Sequence, residues 1–318
     1  MKLRNSDYLD YAACRPPWDF IAPLTGHQTT GCQPDQIESL LSFFRSRFPG
    51  SQMGLLGLKN FLSGEAAALA DYRVLLAADS PAIPPFLHSF SESSWGAPVE
   101  QFVFDGRRFS RSALNYLLGL ALYKKHVSSP PRTVLEIGGG FGSLGEILAA
   151  SGVENSRYID IDIAPTAYVA HSYLSHIYCE DEIVGYSETA HESRIQIEKL
   201  PRCSVLCSWQ IERLVGSIDL FVNYISFQEM EPEIVKNYLS HVLRLNARHI
   251  LLRNLKEGHR IVSDSGKAGV SVPTKGDDYL CWLPGYEVLE RQTHPFGFQT
   301  VDGFNSECIL LGRSKNFL

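Results

Sequence analysis

A glycine-rich segment followed by two acids is the part of the sequence best suited to chemistry. Gly138, Gly140 and Gly142 lie in the run VLEIGGGFG, which follows a β-rich apolar stretch and opens a helical pattern. Glycines let the backbone turn sharply and approach a ligand with no Cβ in the way. Asp160 and Asp162 follow Gly142 by 18 and 20 residues, at the end of a second predicted strand. An acid at that place accepts hydrogen bonds from ribose hydroxyls, so the pattern indicates a ligand that contains adenosine.

Two classes of cofactor fit this pattern. The spacing Gly140-x-Gly142-x-x-Gly145 matches the dinucleotide fingerprint. Glu136, however, lies inside the first strand, two residues before the first glycine, where a dinucleotide site usually has an apolar residue. An acid there positions the ammonium group of S-adenosylmethionine, directly or through water, and this cofactor has no pyrophosphate to bind. We therefore favour S-adenosylmethionine, with S-adenosylhomocysteine as product, over a nicotinamide or flavin.

Polar and aromatic residues follow two further predicted strands. Trp209 and Gln210 come after the third strand, where we expect them to contact adenine; a core position for the tryptophan is the alternative. Asn223 ends the fourth strand, and we expect it to contact the cofactor. These residues complete the predicted cofactor site.

Loop residues at the same edge of the predicted sheet are candidates for binding and deprotonating an acceptor. We expect Ser226, Gln228 and Asp302 to bind the substrate. A hydroxyl nucleophile benefits from a general base. The candidates for that role are Glu229, His259 and His294. Each has a structural alternative, as a helix cap, a solvated loop residue or a turn residue.

Residues 132–313 resemble bacterial sugar O-methyltransferases of the class I S-adenosylmethionine-dependent family. The segments that carry the resemblance are VLEIGGGFG, YIDID, SFQEM, PFG and DGFNSE. The glycine run resembles motif I of that family, and Asp162 or Asp160 supplies the acid of motif II. The resemblance implies an O-methyltransferase that acts on a small-molecule hydroxyl of a sugar or glycosylated natural product. The alternatives are N- or C-transfer on the same fold, a non-catalytic binding module and a nicotinamide oxidoreductase.

The order of predicted elements indicates two regions. Residues 1–127 carry helical patterns, including an apolar stripe over 37–48 and a helix over 110–125. We expect this mainly helical region to form a lid, part of the acceptor pocket or a homo-oligomer contact. After a Ser-Ser-Pro-Pro break, residues 128–318 alternate between strand and helix, and two late segments, 287–291 and 307–312, are predicted to form a hairpin. The fold class is therefore α/β, with a mostly parallel Rossmann-like sheet whose last strand is antiparallel.

Composition restricts the partners and the compartment. The 318 residues carry a formal net charge of −6, which argues against nucleic acid as the main partner. No apolar run has the length of a signal peptide or a membrane span. Seven cysteines scattered without pattern fit a reducing compartment and do not indicate a metal site. We expect a cytoplasmic protein that acts on a small molecule, with no membrane partner and no bound metal.

Overall fold

The computed structural model describes residues 64–95, 101–259, 261, 269–299 and 304–314. The helices are α1 (Glu65–Ala78), α2 (Arg111–His126), α3 (Ser143–Ala149), α4 (Ala164–Leu174), α5 (Tyr186–Thr189), α6 (Pro232–Arg244) and α7 (Gly276–Cys281). The strands are β1 (Phe102–Phe104), β2 (Arg107–Phe109), β3 (Thr133–Ile137), β4 (Arg157–Asp162), β5 (Ile183–Val184), β6 (Ile195–Gln196), β7 (Cys203–Cys207), β8 (Leu214–Val215), β9 (Leu220–Tyr224), β10 (His249–Leu255), β11 (Tyr286–Gln292), β12 (Phe298–Gln299) and β13 (Asn305–Arg313). Short 3₁₀ turns follow β7 (Ser208–Arg213) and β9 (Ser226–Glu229).

One large sheet organises the molecule, with the strand order β11-β13-β10-β9-β3-β4-β7-β5 and with β12 paired to β13. The central neighbours β10, β9, β3, β4 and β7 run parallel to one another, and β13 is antiparallel to β10. This confirms the predicted Rossmann-like class with its antiparallel last strand. Strand order reverses at β3, since β4 and β7 lie on one side of it and β9 and β10 on the other. In such a sheet, ligands bind outside the carboxyl ends of the strands at the point of reversal.

The two late segments pair as predicted. β11 is antiparallel to β13, with Val288 opposite Leu311. Because β13 is itself antiparallel to β10, β11 runs parallel to the central strands. The loop that follows β11 therefore leaves the sheet at the same edge as the loops that follow β3, β4 and β9.

Both faces of the sheet are buried, as expected for parallel strands. Successive side chains of a strand point to opposite faces, so Val134 of β3 enters one core and Leu135 enters the other. The first core is shared with apolar residues of α1, α2, α3 and α4. The second core is shared with α6 and α7. The helices that precede β3 therefore pack directly on the sheet.

Helix α2 is the helix predicted over 110–125, beginning one residue later and ending one residue later. It starts after Ser110, whose hydroxyl accepts a hydrogen bond from the Ala113 amide at 3.0 Å. This is the usual arrangement of an N-cap serine. No helix in the described part of the chain is long and apolar enough to cross a membrane.

A short hairpin that the sequence did not predict precedes α2. In this hairpin β1 and β2 are antiparallel, with Val103 opposite Arg108. The strands have three residues each, too few for a periodic pattern to show. The predicted helical stripe over 37–48 lies outside the described residues.

Candidate functional site

The glycine loop joins β3 to α3 at the carboxyl edge of the sheet. Gly138 and Gly140 have φ angles of 75° and 63°, in the left-handed region that glycine adopts without steric cost. A Cβ at Gly138 would overlap the side chain of Ser226, whereas a Cβ at Gly140 would meet no atom of the described residues within 4 Å. Gly142 is the N-cap of α3. The three glycines singled out in the sequence thus form one turn, with open space beside Gly140.

Glu136 is completely buried beneath this loop. Its Oε1 accepts a hydrogen bond from the Tyr116 hydroxyl of α2, and its Oε2 accepts one from the Tyr158 hydroxyl of β4, each at 2.6 Å. Burial raises the pKa of Glu136 to about 7, against the lowering effect of the two hydrogen bonds. Tyr116 also lines the adjacent cavity, so its hydroxyl group connects that cavity to the Glu136 carboxylate by a hydrogen bond.

Asp160 lies opposite Glu136 in the β3–β4 register and is also completely buried. The Gly139 amide donates a hydrogen bond to its Oδ1 at 3.2 Å. Its Oδ2 is buried and has no hydrogen-bond partner among the described residues. Burial is the main cause that raises the pKa of Asp160 well above its usual range, and the nearby carboxyls of Asp162 and Glu136 add to it. Asp160 supports the loop from below and retains an unused oxygen.

Asp162 ends β4 beside the open side of the loop. Its Oδ2 accepts a hydrogen bond from the Gly140 amide at 3.0 Å, and its Oδ1 accepts one from the Ile163 amide at 2.7 Å. The Ile163 side chain that follows is 58% exposed. Burial raises the pKa of Asp162 to about 6, and the two amide hydrogen bonds oppose the shift. Each carboxylate oxygen has accepting capacity left for a further donor.

A cavity opens beside the loop. It is lined by Ser112, Asn115 and Tyr116 of α2, by Gly138, Gly139, Gly140, Phe141 and Ser143 of the loop and α3, and by Tyr224 and Ile225 at the end of β9. None of these lining residues carries a formal charge at neutral pH. The Tyr116 and Tyr224 rings stack, with centroids 4.6 Å apart. The Oδ1 of Asn115 is buried and has no hydrogen-bond partner in the part of the chain that the structure describes. The wall of the cavity therefore includes a buried polar side chain whose acceptor atom is unsatisfied within the described residues.

Sequence reasoning missed the contribution of α2 to this cavity. Ser112, Asn115 and Tyr116 are three polar residues at helical spacing in an otherwise apolar segment. That spacing was a usable signal, because three polar side chains on one face of a buried helix need a polar neighbour or a ligand.

The two residues predicted to contact adenine differ in their surroundings. Trp209 is half-buried, and its ring meets the Tyr186 ring edge-on with centroids 5.5 Å apart. Gln210 is completely buried: its Oε1 accepts from the Cys207 amide, and its Nε2 donates to the Thr189 hydroxyl. The side chain of Gln210 is thus used to hold the turn after β7, while Trp209 keeps an accessible part.

The polar cluster after β9 forms a network that holds its own turn. The Asn223 amide nitrogen donates to the Ile137 carbonyl at 2.8 Å and to the Ser226 hydroxyl at 2.6 Å. The Gln228 side-chain oxygen accepts from the Leu255 amide at 2.8 Å. Asn223 and Gln228 are both buried, whereas Ser226 is partly exposed. The network ties the end of β9 to β3 and β10, the strands on either side of it.

Ile225 stands in this turn with a φ of 70°. A β-branched residue with positive φ is strained, and such residues concentrate at functional sites. The strained residue also lines the cavity.

The candidate bases lie farther along the same edge. Glu229 is at the surface; partial burial raises the pKa of its carboxyl, and the charge of His259 lowers it. His294 is exposed in the loop after β11. Asp302 lies outside the described residues. His259 thus acts electrostatically on Glu229, whereas His294 lies in a different loop.

Neither sulfur nor carboxylate groups form a metal centre in the described ranges. Cys203 and Cys207 are buried free thiols in β7. No group of three His, Cys, Asp or Glu residues among those described is arranged to hold an ion.

No protein-family model and no curated protein matches this sequence. Solved structures are similar in fold. The magnesium protoporphyrin IX methyltransferase of Synechocystis PCC 6803, solved with S-adenosylmethionine, is 16% identical over 64% of this chain and 81% of its own, with a TM-score of 0.43. The 1,6-didemethyltoxoflavin-N1-methyltransferase of Burkholderia thailandensis, solved with S-adenosylhomocysteine, is 12% identical over 63% of this chain and 79% of its own, with a TM-score of 0.44. An S-adenosylmethionine-dependent methyltransferase from Aquifex aeolicus is 16% identical over 64% of this chain and 93% of its own, with a TM-score of 0.41.

Proposed function

We propose that the chain is an S-adenosylmethionine-dependent methyltransferase whose cofactor lies against the glycine loop. The observation that carries the proposal is the hydrogen bond between the glycine loop and the acid at the end of β4. The Gly140 amide donates to the Asp162 carboxylate at 3.0 Å, beside an open cavity. A carboxylate at the end of β4, the parallel strand that follows β3 in the chain, can accept hydrogen bonds from ribose hydroxyls. The pattern is the one expected for an adenosine cofactor.

The hydrogen bonds of the loop favour this cofactor over a dinucleotide. In a dinucleotide site the loop amides face a pyrophosphate. Here the Gly139 and Gly140 amides donate to Asp160 and Asp162. A pyrophosphate at these amides would meet two carboxyl groups, whereas a cofactor with a sulfonium and an ammonium group would not be repelled.

Residues that line the cavity, and others at the ends of β4 and β7, divide among the parts of the cofactor. Asp162 would hold the ribose, and the exposed Ile163 and the accessible part of Trp209 would flank the adenine. Asn115 Oδ1, an unpartnered acceptor, and Tyr116 would hold the amino acid portion at Gly138. When bound, the cofactor supplies a methyl group already activated on sulfur, so positioning of the acceptor accounts for much of the catalysis.

We propose a hydroxyl as the methyl acceptor, with Glu229 and His259 taking up its proton. The electrostatic influence of His259 on the Glu229 carboxyl, at the carboxyl edge of the sheet, supports this role. Ser226 is the partly exposed member of the β9 network and remains the best-placed candidate for acceptor binding, with Gln228 behind it. A sugar or glycosylated acceptor follows from the sequence resemblance, and His294 and Asp302 are further candidates to contact it.

Calorimetry with S-adenosylmethionine tests the cofactor assignment. Wild-type protein should bind, and Asp162→Asn should weaken binding at least about tenfold, because the amide keeps one acceptor oxygen but replaces the other with an NH2 donor. Asp181→Asn, at an exposed aspartate, is the matched control. Equal affinity in wild type and Asp162→Asn would overturn the assignment.

A product assay tests the reaction. Supplied with hydroxyl and amine acceptors, the enzyme should methylate the hydroxyl. Glu229→Gln and His259→Ala should each lower turnover about tenfold to a hundredfold and spare cofactor affinity. Methylation of amines alone, or full activity in both variants, would contradict hydroxyl transfer with this base pair.

A further inference from the structure

Three carboxyl groups converge beneath the glycine loop. Glu136 of β3 and Asp160 of β4 face each other in register, and Asp162 lies two residues farther along β4, on the same face as Asp160. Glu136 and Asp160 are completely buried. Within the described part of the chain, none of the three forms an ion pair with a lysine or arginine.

Among the described residues, the titratable groups around this acid cluster offer no positive charge. They are Tyr116 of α2, Tyr158 of β4, Cys203 and Cys207 of β7, Tyr224 of β9 and Tyr238 of α6. All six are neutral at physiological pH, since burial raises the pKa of each. Three ionised carboxylates in such surroundings would be costly, because buried charge needs a partner of opposite sign.

The hydrogen-bond pattern of the acid cluster agrees with carboxyl groups that are protonated. Asp160 Oδ2 is buried and accepts no hydrogen bond of normal geometry from the described residues, a poor arrangement for an ionised carboxylate oxygen. Burial raises the pKa of Asp160 well above its usual range and those of Glu136 and Asp162 to about 7 and about 6. Around neutral pH the acid cluster therefore holds protons when no ligand is bound.

We propose that the acid cluster of Glu136, Asp160 and Asp162 selects the cofactor by charge, releasing protons to solvent in exchange for the positive charge that the ligand brings. This inference rests on the proposed function. S-adenosylmethionine carries a sulfonium, an ammonium and a carboxylate, a net charge of about +1 at neutral pH, whereas the thioether product carries no net charge. A nearby positive charge and donated ribose hydrogen bonds both favour ionised carboxylates.

Proton release couples affinity to pH. For each proton released, the affinity rises up to about tenfold per pH unit, over the range in which the free protein still holds that proton. The ratio of cofactor to product affinity should rise over the same range, because the uncharged sulfur of the product displaces fewer protons. The acid cluster would thereby help the protein exchange spent product for cofactor.

Calorimetry in two buffers of different ionisation enthalpy measures the released protons. At about pH 6.5, the enthalpy of S-adenosylmethionine binding should depend on the buffer and correspond to about one proton released, with fewer released for S-adenosylhomocysteine. Asp160→Asn should reduce the number, and Asp181→Asn, at an exposed position, should not. Tyr158→Phe removes a hydrogen bond that lowers the pKa of Glu136, so release should persist to higher pH.

The outcomes separate the two proposals. If folded wild-type protein binds no S-adenosylmethionine at any pH, the proposed function is wrong. If it binds with a buffer-independent enthalpy and a pH-independent affinity from about pH 5.5 to 8.5, the function stands and the proton exchange is wrong. Release that is unchanged in both Asp160→Asn and Tyr158→Phe would show that the protons come from elsewhere. Should Asp160→Asn fail to fold, the shift in Tyr158→Phe decides alone.

Discussion

Gly140 and Gly106 adopt the same left-handed backbone conformation, with φ angles of 63° and 74°. In the described part of the chain, a Cβ at either position would meet no atom within 4 Å. The two glycines differ in their position in the fold. Gly106 lies in the turn between β1 and β2, whereas Gly140 lines the cavity. The pair therefore separates the conformational role of glycine from its role in admitting a ligand.

Alanine at each position provides the test. Gly140→Ala and Gly106→Ala should each lower the free energy of unfolding by about 1–2 kcal/mol, the cost of a Cβ in the left-handed region. Only Gly140→Ala should weaken S-adenosylmethionine binding, by about tenfold or more, because its methyl group projects into the cavity. Urea denaturation and calorimetry give the two quantities. Cofactor affinity equal to wild type in Gly140→Ala would show that the ligand does not approach the loop there.

At the scale of elements, α2 is positioned by a buried acid at its start. Glu92 accepts hydrogen bonds from the Ser110 amide at 2.5 Å and the Ser110 hydroxyl at 2.7 Å. Ser110 in turn caps the helix that carries Asn115 and Tyr116 into the cavity. Burial raises the pKa of Glu92 to about 7 from an ordinary value of 4.5.

The raised pKa of Glu92 makes stability depend on pH. Folded protein keeps the Glu92 proton up to about pH 7, whereas unfolded chain loses it near pH 4.5. The folded state thus binds more protons between these values, and its stability falls as pH rises through that window. Glu92→Gln has no such titration. Its free energy of unfolding, relative to that of wild type, should therefore rise by up to about 1.4 kcal/mol per pH unit between about pH 4.5 and pH 7, and the difference should stay constant above pH 7.

Urea denaturation of wild type and Glu92→Gln at a series of pH values measures this difference. Glu233→Gln, at an exposed glutamate of α6, is the control, and its difference from wild type should stay constant. A constant difference for Glu92→Gln as well would mean that Glu92 is ionised throughout the window.

At the scale of the whole molecule, a buried ion pair joins the segment after α1 to the end of α2. Lys124 Nζ and Asp79 Oδ1 are 2.5 Å apart, and their side chains are only 3% and 2% exposed. The lysine also donates to the Ser80 and Pro85 carbonyls, and the Asp79 carboxylate accepts from the His88 amide. The pair holds the chain between α1 and β1 against the sheet-bound helix.

Breaking this pair should destabilise the whole fold. Asp79→Asn leaves a buried ammonium without its counter-charge and should lower the free energy of unfolding by about 3–5 kcal/mol. Glu233→Gln removes the exposed Lys236–Glu233 pair and should cost less than about 1 kcal/mol. Urea denaturation of both variants compares them. A similar small loss in both would show that the segment after α1 packs independently of α2.

Local patterns predicted much of this molecule because the features concerned are themselves local. The alternation of apolar runs identified β3, β4, β7, β9 and β10, and the late hairpin followed from two strand-like segments near the end of the described chain. Elements of two or three residues, such as β1, β5 and β12, were not predicted, since they have no periodicity and are defined by the strands they pair with.

The sequence by itself determined the glycine turn and the acid that follows β4, because glycine spacing and strand ends are set by neighbouring residues. Only the tertiary structure decided which side chains remain available to a ligand. Gln210 is engaged by Thr189, 21 residues away, and Asn223 by Ile137, 86 residues away, so both are used within the fold. Asn115 enters the cavity because α2 packs on the sheet. Such partnerships depend on contacts distant in sequence, and burial then settles which polar atoms are satisfied and which remain free to bind.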